Sequence, residues 1–295
     1  MKGRLMVHLS EGREQVKSIA VVGTGLMGAS LGLSAKRAFP QARIWGVDSS
    51  AQALEEARAM GAVDEAVPLQ EAVKADLLCL AMPMRYLPEV LQQLGPALRE
   101  GVLWMDIGSS KQNVLSQVKA SLGELPPHFV PCHPMAGGEE AGAKAARADL
   151  YSGRKVLLIP HEGMAAGAKE KATAFWQALG AEVVEMGAKE HDEILAYTSH
   201  LPHLLAFALA GALDVGPGSQ RLQAGMGPGF FGFMRLAKSE PSLWADICMA
   251  NREALLTAMK RYEAQLRCMQ AALEEASGPA LLALLEEAHQ RRQAW

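Results

Sequence analysis

Short apolar runs alternate with amphipathic stretches over the first part of the chain. Runs of roughly four to eight apolar residues between glycine, proline or polar residues are typical of buried strands. Such runs occupy residues 18–23, 42–48, 76–83, 102–108, 128–132, 154–160 and 181–187. Between several of them, apolar residues recur at helical spacing, as in LMGASLGLSAKRA and AQALEEARAMG. Continuous apolar strands that alternate with helices predict an α/β domain with a parallel sheet covered on both faces.

The pattern changes after Gly187. The stretches with helical spacing that follow are 193–214, 242–273 and 279–293. We therefore place a domain boundary at Gly187 and predict two domains, 1–187 and 188–295, of which the second is all-helical. Its wide apolar faces favour burial against a second copy of the chain, so we expect a homodimer formed through these helices.

Composition and charge narrow the possible functions. The formal net charge is −3 and the chain has no block of Lys or Arg, so nucleic acid is not an expected partner. The four cysteines show no CxxC spacing, which is typical of free thiols in a reducing compartment. The first residues lack the apolar core of a signal peptide, and the longest apolar runs, such as 204–213, are too short to span a bilayer. We therefore expect a cytoplasmic protein with no membrane partner.

A glycine-rich turn follows the first predicted strand and opens the first predicted helix. Gly23, Gly25 and Gly28 stand in GxGxxG spacing within VVGTGLMGAS. In dinucleotide-binding domains of the Rossmann type, the first glycine permits the tight turn and the second lets the backbone approach a pyrophosphate. The third allows the helix to pack closely against the strand. The motif predicts a nucleotide site whose contacts also include Leu26 and Met27.

Asp48 stands twenty positions after Gly28, at the end of the second predicted strand. A carboxylate at this place accepts hydrogen bonds from both ribose hydroxyls and repels a 2′-phosphate. The next residues are Ser49 and Ser50 rather than an arginine, so the cofactor we expect is NAD and not NADP. Two other interpretations remain open: a glycine turn that binds no nucleotide, and an FAD site, which usually requires a longer chain.

Two later predicted strands lead into residues with acid–base chemistry. Ser109 and Lys111 follow the strand 102–108, and His133 follows the strand 128–132. Because ligands of open parallel sheets gather beyond the carboxyl ends of the strands, we expect Ser109 and His133 to converge near the nicotinamide. Histidine has an unperturbed pKa of ~6.5 and suits a general base. Alternatively, Ser109 is the N-cap of the next helix and Lys111 lies on a solvated helix face.

Four segments of the chain, taken together, point to a known family. They are GTGLMGASL, DIGSSK, HPMAGGEEAGAKAARADLYSGR and TSHLPHLLAFAL. This set resembles the prephenate and arogenate dehydrogenases of tyrosine biosynthesis, from about residue 17 to about residue 265. The combination of HPMAG with a SHLPH helix is the specific part of the resemblance.

The resemblance implies a reaction. The substrate is a cyclohexadienol with a ring carboxylate and a pyruvyl or alanyl side chain, and the products are carbon dioxide and an aromatic ring. His133 draws on the proton of the ring hydroxyl while hydride passes to NAD. By the same resemblance, Ser109 hydrogen-bonds this histidine and touches the cofactor, and Glu139 lies beside the substrate pocket. Aromatisation supplies the driving force, so the protein mainly has to position, deprotonate and exclude water.

The helical domain supplies the other predicted substrate contacts. His200 and His203 share a helix face on either side of Pro202, which we expect to kink this helix. No third ligand stands nearby in sequence, so we expect no metal at this pair. The resemblance implies that His203 lies in the substrate pocket, that Arg235 pairs with a substrate carboxylate, and that Trp244 lines the same pocket. A surface salt bridge for Arg235 and simple core packing for Trp244 are the alternatives. Lys111 is a further candidate for substrate contact.

One segment, GPGFFGFMR, departs from the family pattern. Relatives usually carry a basic residue and an aspartate where this chain has Phe231 and Gly232. Ionic contacts that could gate the cleft therefore cannot form at these positions, and we expect Phe230, Phe231 and Phe233 to shield Arg235. The change leaves three functions open: oxidation of prephenate, arogenate or both; oxidation of a variant cyclohexadienol such as amino-deoxyprephenate; and NAD binding by an inactive relative.

Overall fold

Five strands near the start of the chain form one parallel sheet. They are β1 Ser18–Val22, β2 Arg43–Val47, β3 Glu65–Ala66, β4 Leu77–Leu80 and β5 Leu103–Asp106. The order across the sheet is β3-β2-β1-β4-β5, and every neighbouring pair is parallel. The computed structural model describes residues 16–95, 102–138, 140–213 and 219–294, and it confirms the predicted α/β class.

Alternate residues of these strands pack into two cores, one on each face of the sheet. Ile19 and Val21 belong to one core, and Ala20 and Val22 belong to the other. Helices cover both faces, which explains why the strands are apolar at nearly every position rather than at every second one. The helices of this region are Leu26–Ala38, Ala51–Ala59, Leu69–Ala72, Leu87–Leu94, Gln112–Leu122 and Ala166–Ala178.

A second, three-stranded sheet carries the HPMAGG segment. Its strands are β6 Cys132–Pro134, β7 Lys155–Leu158 and β8 Glu182–Glu185, in that order. The expectation of a single parallel sheet is wrong here, because β6 runs antiparallel to β7 and both belong to a separate sheet. The predicted strand 128–132 is also misplaced, since only an isolated bridge joins Phe129 to Trp104 and β6 begins at Cys132. Pro131 has no amide hydrogen to give to a ladder, which accounts for the late start.

The described residues after β8 form helices, which confirms the predicted helical region. They are Ala188–Leu195, Leu201–Ala212, Ser219–Ala224, Pro228–Met234, Pro241–Ala250, Arg252–Glu274 and Gly278–Gln293. The predicted run 242–273 is divided at Asn251, where the backbone leaves helical geometry (φ −112°, ψ 32°). Gly187 is the N-cap of the first of these helices, and the domain boundary placed there stays a prediction.

Residues 188–212 form a continuous helical segment whose pitch changes in the middle. The turn Ala196–His200 is π-helical and is followed directly by the helix Leu201–Ala212, whose first turn contains Pro202. Proline has no amide hydrogen to donate, and a locally wider turn accommodates the missing bond. The irregularity that we expected at this proline thus takes the form of a π-helical turn.

The expectation that every apolar run is too short to span a bilayer is wrong for this segment. It is 25 residues long, and its most apolar window has a mean hydropathy of 1.2. A helix of this length and composition suits either a bilayer or a protein core. Its polar residues His191, Asp192 and His200 are buried within the protein.

Candidate active site

The glycine-rich turn has the geometry that close contact with a dinucleotide requires. Gly23 adopts a φ of +94°, and a Cβ there would lie 2.6 Å from the backbone nitrogen of Met82. At Gly28 a Cβ would lie 1.8 Å from the carbonyl oxygen of Gly23, so only glycine lets the helix pack this closely. A Cβ at Gly25 would meet nothing within 4 Å, which leaves open space at the start of Leu26–Ala38 for a pyrophosphate. The residues present therefore fit a dinucleotide.

Asp48 connects the end of β2 to the glycine turn. Its Oδ2 accepts hydrogen bonds from the backbone N–H of Thr24 at 2.7 Å and from the Thr24 hydroxyl at 3.0 Å. Its Oδ1 accepts one bond, from the backbone N–H of Ser50 at 2.9 Å. A carboxylate oxygen can accept two bonds, so Oδ1 keeps the capacity to receive a ribose hydroxyl.

Leu26 and Met27 begin the first helix and are both half-buried. A Cβ on Gly138 would lie 3.2 Å from Leu26 Cδ2, so the loop after His133 runs beside the glycine turn. The carbonyl of Met27 accepts a hydrogen bond of 2.6 Å from the hydroxyl of Tyr151. The fold thus brings the predicted cofactor turn and the HPMAGG loop together.

Lys111 is not at the surface, so the alternative that it lies on a solvated helix face is wrong, while its contact with a substrate stays a prediction. The side chains of Lys111 and Asp106 are each 0% exposed, and Lys111 Nζ lies 2.6 Å from Asp106 Oδ2. The same nitrogen donates to the carbonyl of Cys132 at 2.6 Å. An ammonium enclosed in this way does not lie on a solvated helix face. It joins the end of β5 to β6 instead, and so supports the strand that carries His133.

Burial changes the acidity of the carboxyl in this pair. It raises the pKa of Asp106, and the neighbouring charge and hydrogen bond of Lys111 oppose that rise. One oxygen, Asp106 Oδ1, is buried without a hydrogen-bond partner among the described residues. Each of the two side chains therefore relies on the other to stabilise its charge, since neither has access to water.

Ser109 does not cap the following helix, because that helix begins at Gln112 and Lys111 is its N-cap. The carboxylate of Asp192 satisfies the first backbone donors in its place, accepting from Lys111 N at 2.8 Å and from Gln112 N at 2.9 Å. Ser109 is half-buried in the loop after β5, and within the described residues no hydrogen bond joins it to His133.

His133 lies inside β6 and is almost entirely buried, with 8% of its surface exposed. Its Nδ1 is 2.8 Å from Nε2 of His191. Burial lowers the pKa of His133 well below its ordinary value, and the nearby groups His191, Lys111 and His200 lower it further. The imidazole is therefore neutral at neutral pH, which is the state that a general base requires.

The sequence reasoning missed His191 and Asp192, which stand behind this histidine. His191 Nδ1 lies 2.7 Å from Asp192 Oδ1. Burial raises the pKa of Asp192, but the hydrogen bonds from His191 and from two backbone N–H groups outweigh it, and the net pKa is below the ordinary value. The only sequence signal is a His-Asp pair within AKEHDE at the start of a helix. A polar stretch of this kind is typical of a solvated helix face.

Asn251 links this cluster to the SHLPH helix. Its side-chain amide donates to the carbonyl of Asp192 at 2.7 Å and lies 3.0 Å from Nδ1 of His200. Burial lowers the pKa of His200 to about 4. The other ring nitrogen of His200, Nε2, is buried with no hydrogen-bond partner among the described residues.

His203 and Trp244 form a stacked pair, with ring centroids 3.5 Å apart and planes at 16°. The rings of Trp244 and His200 also pack edge to face, with their centroids 6.3 Å apart. Trp244 therefore contacts both histidines of the SHLPH helix. Nδ1 of His203 donates to the carbonyl of Ser199 at 2.9 Å. Burial lowers the pKa of His203, that hydrogen bond opposes the effect, and the charge of Arg235 adds to it.

Arg235 follows Pro228–Met234 and starts a short 3-10 helix, Arg235–Lys238, that packs against Leu201–Ala212. The residue is exposed in the single chain. The expectation that three phenylalanines shield it is wrong within one chain, because Phe231 is 59% exposed and Phe233 is 39% exposed. The short helix that carries them has no buried residue, so its aromatic side chains do not close a cleft.

Two further expectations concern Glu139 and metal ions. Glu139 lies outside the described residues. In the part of the chain that the structure describes, no group of three or more His, Cys, Asp or Glu side chains is placed to hold a metal ion.

A dinucleotide turn beside a buried, neutral histidine is the arrangement of a nicotinamide-dependent oxidoreductase. Comparison with protein families gives the same class of protein and identifies the family. A model for the nucleotide-binding domain of prephenate dehydrogenase matches residues 31–185, and a model for its dimerization domain matches residues 187–287. The chain therefore belongs to the prephenate dehydrogenase family and is an NAD-dependent oxidoreductase.

Individual relatives cover nearly the whole chain. The cyclohexadienyl dehydrogenase of Zymomonas mobilis is 34% identical over 94% of this chain and 96% of its own length. The prephenate dehydrogenase of Lactococcus lactis is 28% identical over 95% of this chain and 77% of its own length.

Solved structures resemble the whole fold. A prephenate dehydrogenase from Aquifex aeolicus, in complex with hydroxyphenyl propionate and NAD+, is 29% identical with a TM-score of 0.86, and the match covers 95% of this chain and 98% of that one. An arogenate dehydrogenase from Synechocystis is 25% identical with a TM-score of 0.77, covering 94% and 99%.

Proposed function

We propose that the chain catalyses the NAD-dependent oxidative decarboxylation of prephenate, of arogenate or of both, in tyrosine biosynthesis. The observation that carries the proposal is the neutral, buried imidazole of His133, on a strand whose following loop runs beside the glycine turn. The names of the relatives, which include cyclohexadienyl, prephenate and arogenate dehydrogenases, support the same substrate class.

In this proposal His133 is the general base. Its Nε2 accepts the proton of the ring hydroxyl, and the hydroxyl carbon becomes a carbonyl carbon as its hydride leaves. NAD, when bound by the Gly23–Gly28 turn and Asp48, supplies the acceptor for that hydride. Carbon dioxide departs from the opposite ring carbon with its bonding electrons left behind, which makes the ring an aromatic phenolate, and the proton held on Nε2 of His133 returns to its oxygen to give the phenol. Proton, hydride and carboxyl group are thereby all accounted for.

The substrate side chain is held, in the same proposal, by the aromatic cluster and its neighbouring cation. Arg235 binds a substrate carboxylate, since guanidinium forms paired hydrogen bonds with carboxylates. The stacked rings of His203 and Trp244 form the wall beside it. By the family resemblance, Ser109 hydrogen-bonds His133 and touches the cofactor, and Glu139 is expected beside the substrate pocket.

A second candidate follows from the altered segment. Phe231 is 59% exposed, and by the family resemblance this uncharged residue stands where relatives usually carry charge, which favours a different side chain on the ring. An amino-substituted cyclohexadienol is the substrate class that this change would suit. An inactive relative that only binds NAD is the third candidate.

One assay separates the three. NADH formation is followed with prephenate, with arogenate, with an amino-substituted prephenate and without substrate, using wild-type protein and His133→Asn. We expect NADH with prephenate or arogenate in the wild type. Formation with the amino-substituted compound alone would favour the second candidate. No turnover with any compound, from protein that binds NAD, would contradict the proposal and favour the third.

We further propose a cytoplasmic homodimer formed through the helical region. Large apolar side chains on several helices of this region are exposed in the single chain: Leu243, Met249, Leu256, Leu266, Leu273, Leu282 and Leu285. Side chains this apolar are normally covered in an assembled protein. Analytical ultracentrifugation should give twice the chain mass, and Met249→Glu with Leu273→Glu should shift the protein towards monomer.

A further inference from the structure

Two buried residues behind His133 form a chain of hydrogen bonds that ends on a carboxylate. His191 Nε2 lies 2.8 Å from His133 Nδ1, and His191 Nδ1 lies 2.7 Å from Asp192 Oδ1. The exposed fractions are 8% for His133, 0% for His191 and 1% for Asp192. Water therefore has little opportunity to replace either bond.

This chain of bonds determines which ring nitrogens carry protons. An ionised carboxylate only accepts hydrogen bonds, so Asp192 requires a proton on Nδ1 of His191. A neutral His191 then accepts at Nε2, which requires the proton of His133 to be on Nδ1. The Nε2 of His133 is left with a lone pair, and among the described residues no donor occupies it.

We propose that His191 and Asp192 are positioning residues that hold His133 in its Nδ1–H tautomer, with Nε2 free to take a proton. The identity of the proton that is taken rests on the proposed function. The tautomer does not, because it is a property of the protein without substrate.

Asp192 is itself fixed by both parts of the chain. Its carboxylate accepts from the backbone N–H groups of Lys111 and Gln112, at the positive end of the Gln112–Leu122 helix. Its carbonyl accepts from the side chain of Asn251 at 2.7 Å. Because the carboxylate comes from one part and the backbone donors from the other, the orientation of His133 depends on how the helical region docks.

The surrounding charges favour a neutral His191. Burial lowers the pKa of His191, the hydrogen bond and charge of Asp192 oppose this, Lys111 adds to the lowering and Asp106 opposes it. Among the described residues, the charged or titratable groups that lower the pKa of His133, beside burial itself, are His191, Lys111 and His200. Below the pKa of His191 its Nε2 becomes a donor, and the required tautomer of His133 is lost.

Nitrogen NMR of histidine-labelled wild-type protein tests the tautomer directly. The chain has eight histidines, and the His133 signals are identified as those missing from His133→Asn. We expect a protonated Nδ1 and an unprotonated Nε2 at neutral pH. A protonated Nε2, or an even mixture of the two tautomers, would overturn the proposal even if no variant of His191 folds.

Variants at His191 test the catalytic consequence. His191→Leu removes the acceptor and should lower kcat by about 100-fold, because the base then samples the unproductive tautomer. His191→Gln can still offer an oxygen to Nδ1 of His133 and should recover at least part of that loss. The matched control is His161→Leu, since the hydrogen bonds of His161 among the described residues go to the backbone carbonyls of Phe129 and Glu162. NAD affinity should be equal in all of these proteins.

Asp192→Asn tests the far end of the chain. The amide can donate to His191 and so invert both tautomers, and we expect kcat to fall by about 100-fold or more, with the His133 signals changing to a protonated Nε2. A fall in kcat with the tautomer of His133 unchanged would mean that both residues are merely structural. The predicted tautomer in a wild type that oxidises no cyclohexadienol would instead contradict the proposed function and leave this inference standing.

Discussion

The surroundings of His133 and of Arg235 differ in almost every respect. His133 is 8% exposed, and the groups behind it, His191 and Asp192, are bonded to one another within the protein. Arg235 is exposed in the single chain, and the neighbouring Phe231 is 59% exposed. The hydrogen bonds around His133 are formed before any ligand binds, while the side chains around Arg235 are exposed at the surface of the single chain.

This difference separates two tasks. A base must be held in one protonation state and one orientation, and a buried network does this without substrate. A binding surface can be ordered by the ligand that it receives. We therefore expect changes near His133 to act on kcat or on folding, and changes near Arg235 to act on KM.

The largest expected effect is that of His133→Asn. Loss of the base should lower kcat by about 10²–10⁴-fold. NAD affinity should stay near the wild-type value, because the glycine turn and Asp48 are unchanged. Steady-state kinetics together with NAD titration measure both quantities, and near-normal turnover would remove His133 from the mechanism.

Lys111→Met should mainly affect stability. It leaves Asp106 as an unpaired charge in a fully buried position, at a cost of about 3–5 kcal/mol in the free energy of unfolding. Adding Asp106→Asn should restore part of the loss, because the charge is removed and the amide oxygen can still accept from Gly108 N. Lys189→Met is the control, since Lys189 is 79% exposed in a surface pair with Glu193. Equal denaturation midpoints for Lys111→Met and the control would refute the pairing.

Arg235→Gln should raise KM by about tenfold, or ~1.4 kcal/mol, with little change in kcat or melting temperature. The effect is smaller than for a buried ion pair because Arg235 is exposed in the single chain. Arg235→Lys should recover only part of it, since lysine keeps the charge without the paired donors. An unchanged KM would mean that another group, with His203 the first to examine, holds the substrate carboxylate.

The smallest effect is expected at the cofactor. Asp48→Ser combined with Ser49→Arg should raise the ratio of kcat/KM for NADP over NAD by about fivefold, as for a surface charge pair of ~1 kcal/mol. Part of the change comes from loss of NAD binding, because Asp48 also holds Thr24. A wild type that already uses NADP as well as NAD would show that Asp48 does not select the cofactor.

The elements that sequence predicted well are those set by neighbouring residues. The helix Leu26–Ala38 and strand β1 follow from apolar spacing and a glycine turn within a short stretch. The reversed direction of β6 was not predictable in this way, because it depends on pairing with β7 more than twenty residues later. Strand length and apolarity do not encode direction.

The same distinction holds in the site. His133 could be found because it follows an apolar run in a predicted α/β domain and because HPMAG resembles a known family. His191 and Asp192 could not, since AKEHDE has the composition of a solvated helix start, and their burial comes from contacts with residues distant in sequence, such as His133 and Lys111. The burial of Lys111 could not be predicted for the same reason. Its partner Asp106 is close in sequence, but the burial of both side chains comes from tertiary packing.

The pH dependence of kcat/KM tests the central claim, that a buried neutral His133 is the base. Burial lowers the pKa of His133 below its ordinary value of 6.5, and a base works only when unprotonated. Activity should therefore be full at neutral pH and be lost as pH falls through a pKa below 6.5, and His133→Asn should abolish this acidic limb in its residual activity. An acidic limb that persists unchanged in His133→Asn would show that a different group takes the proton.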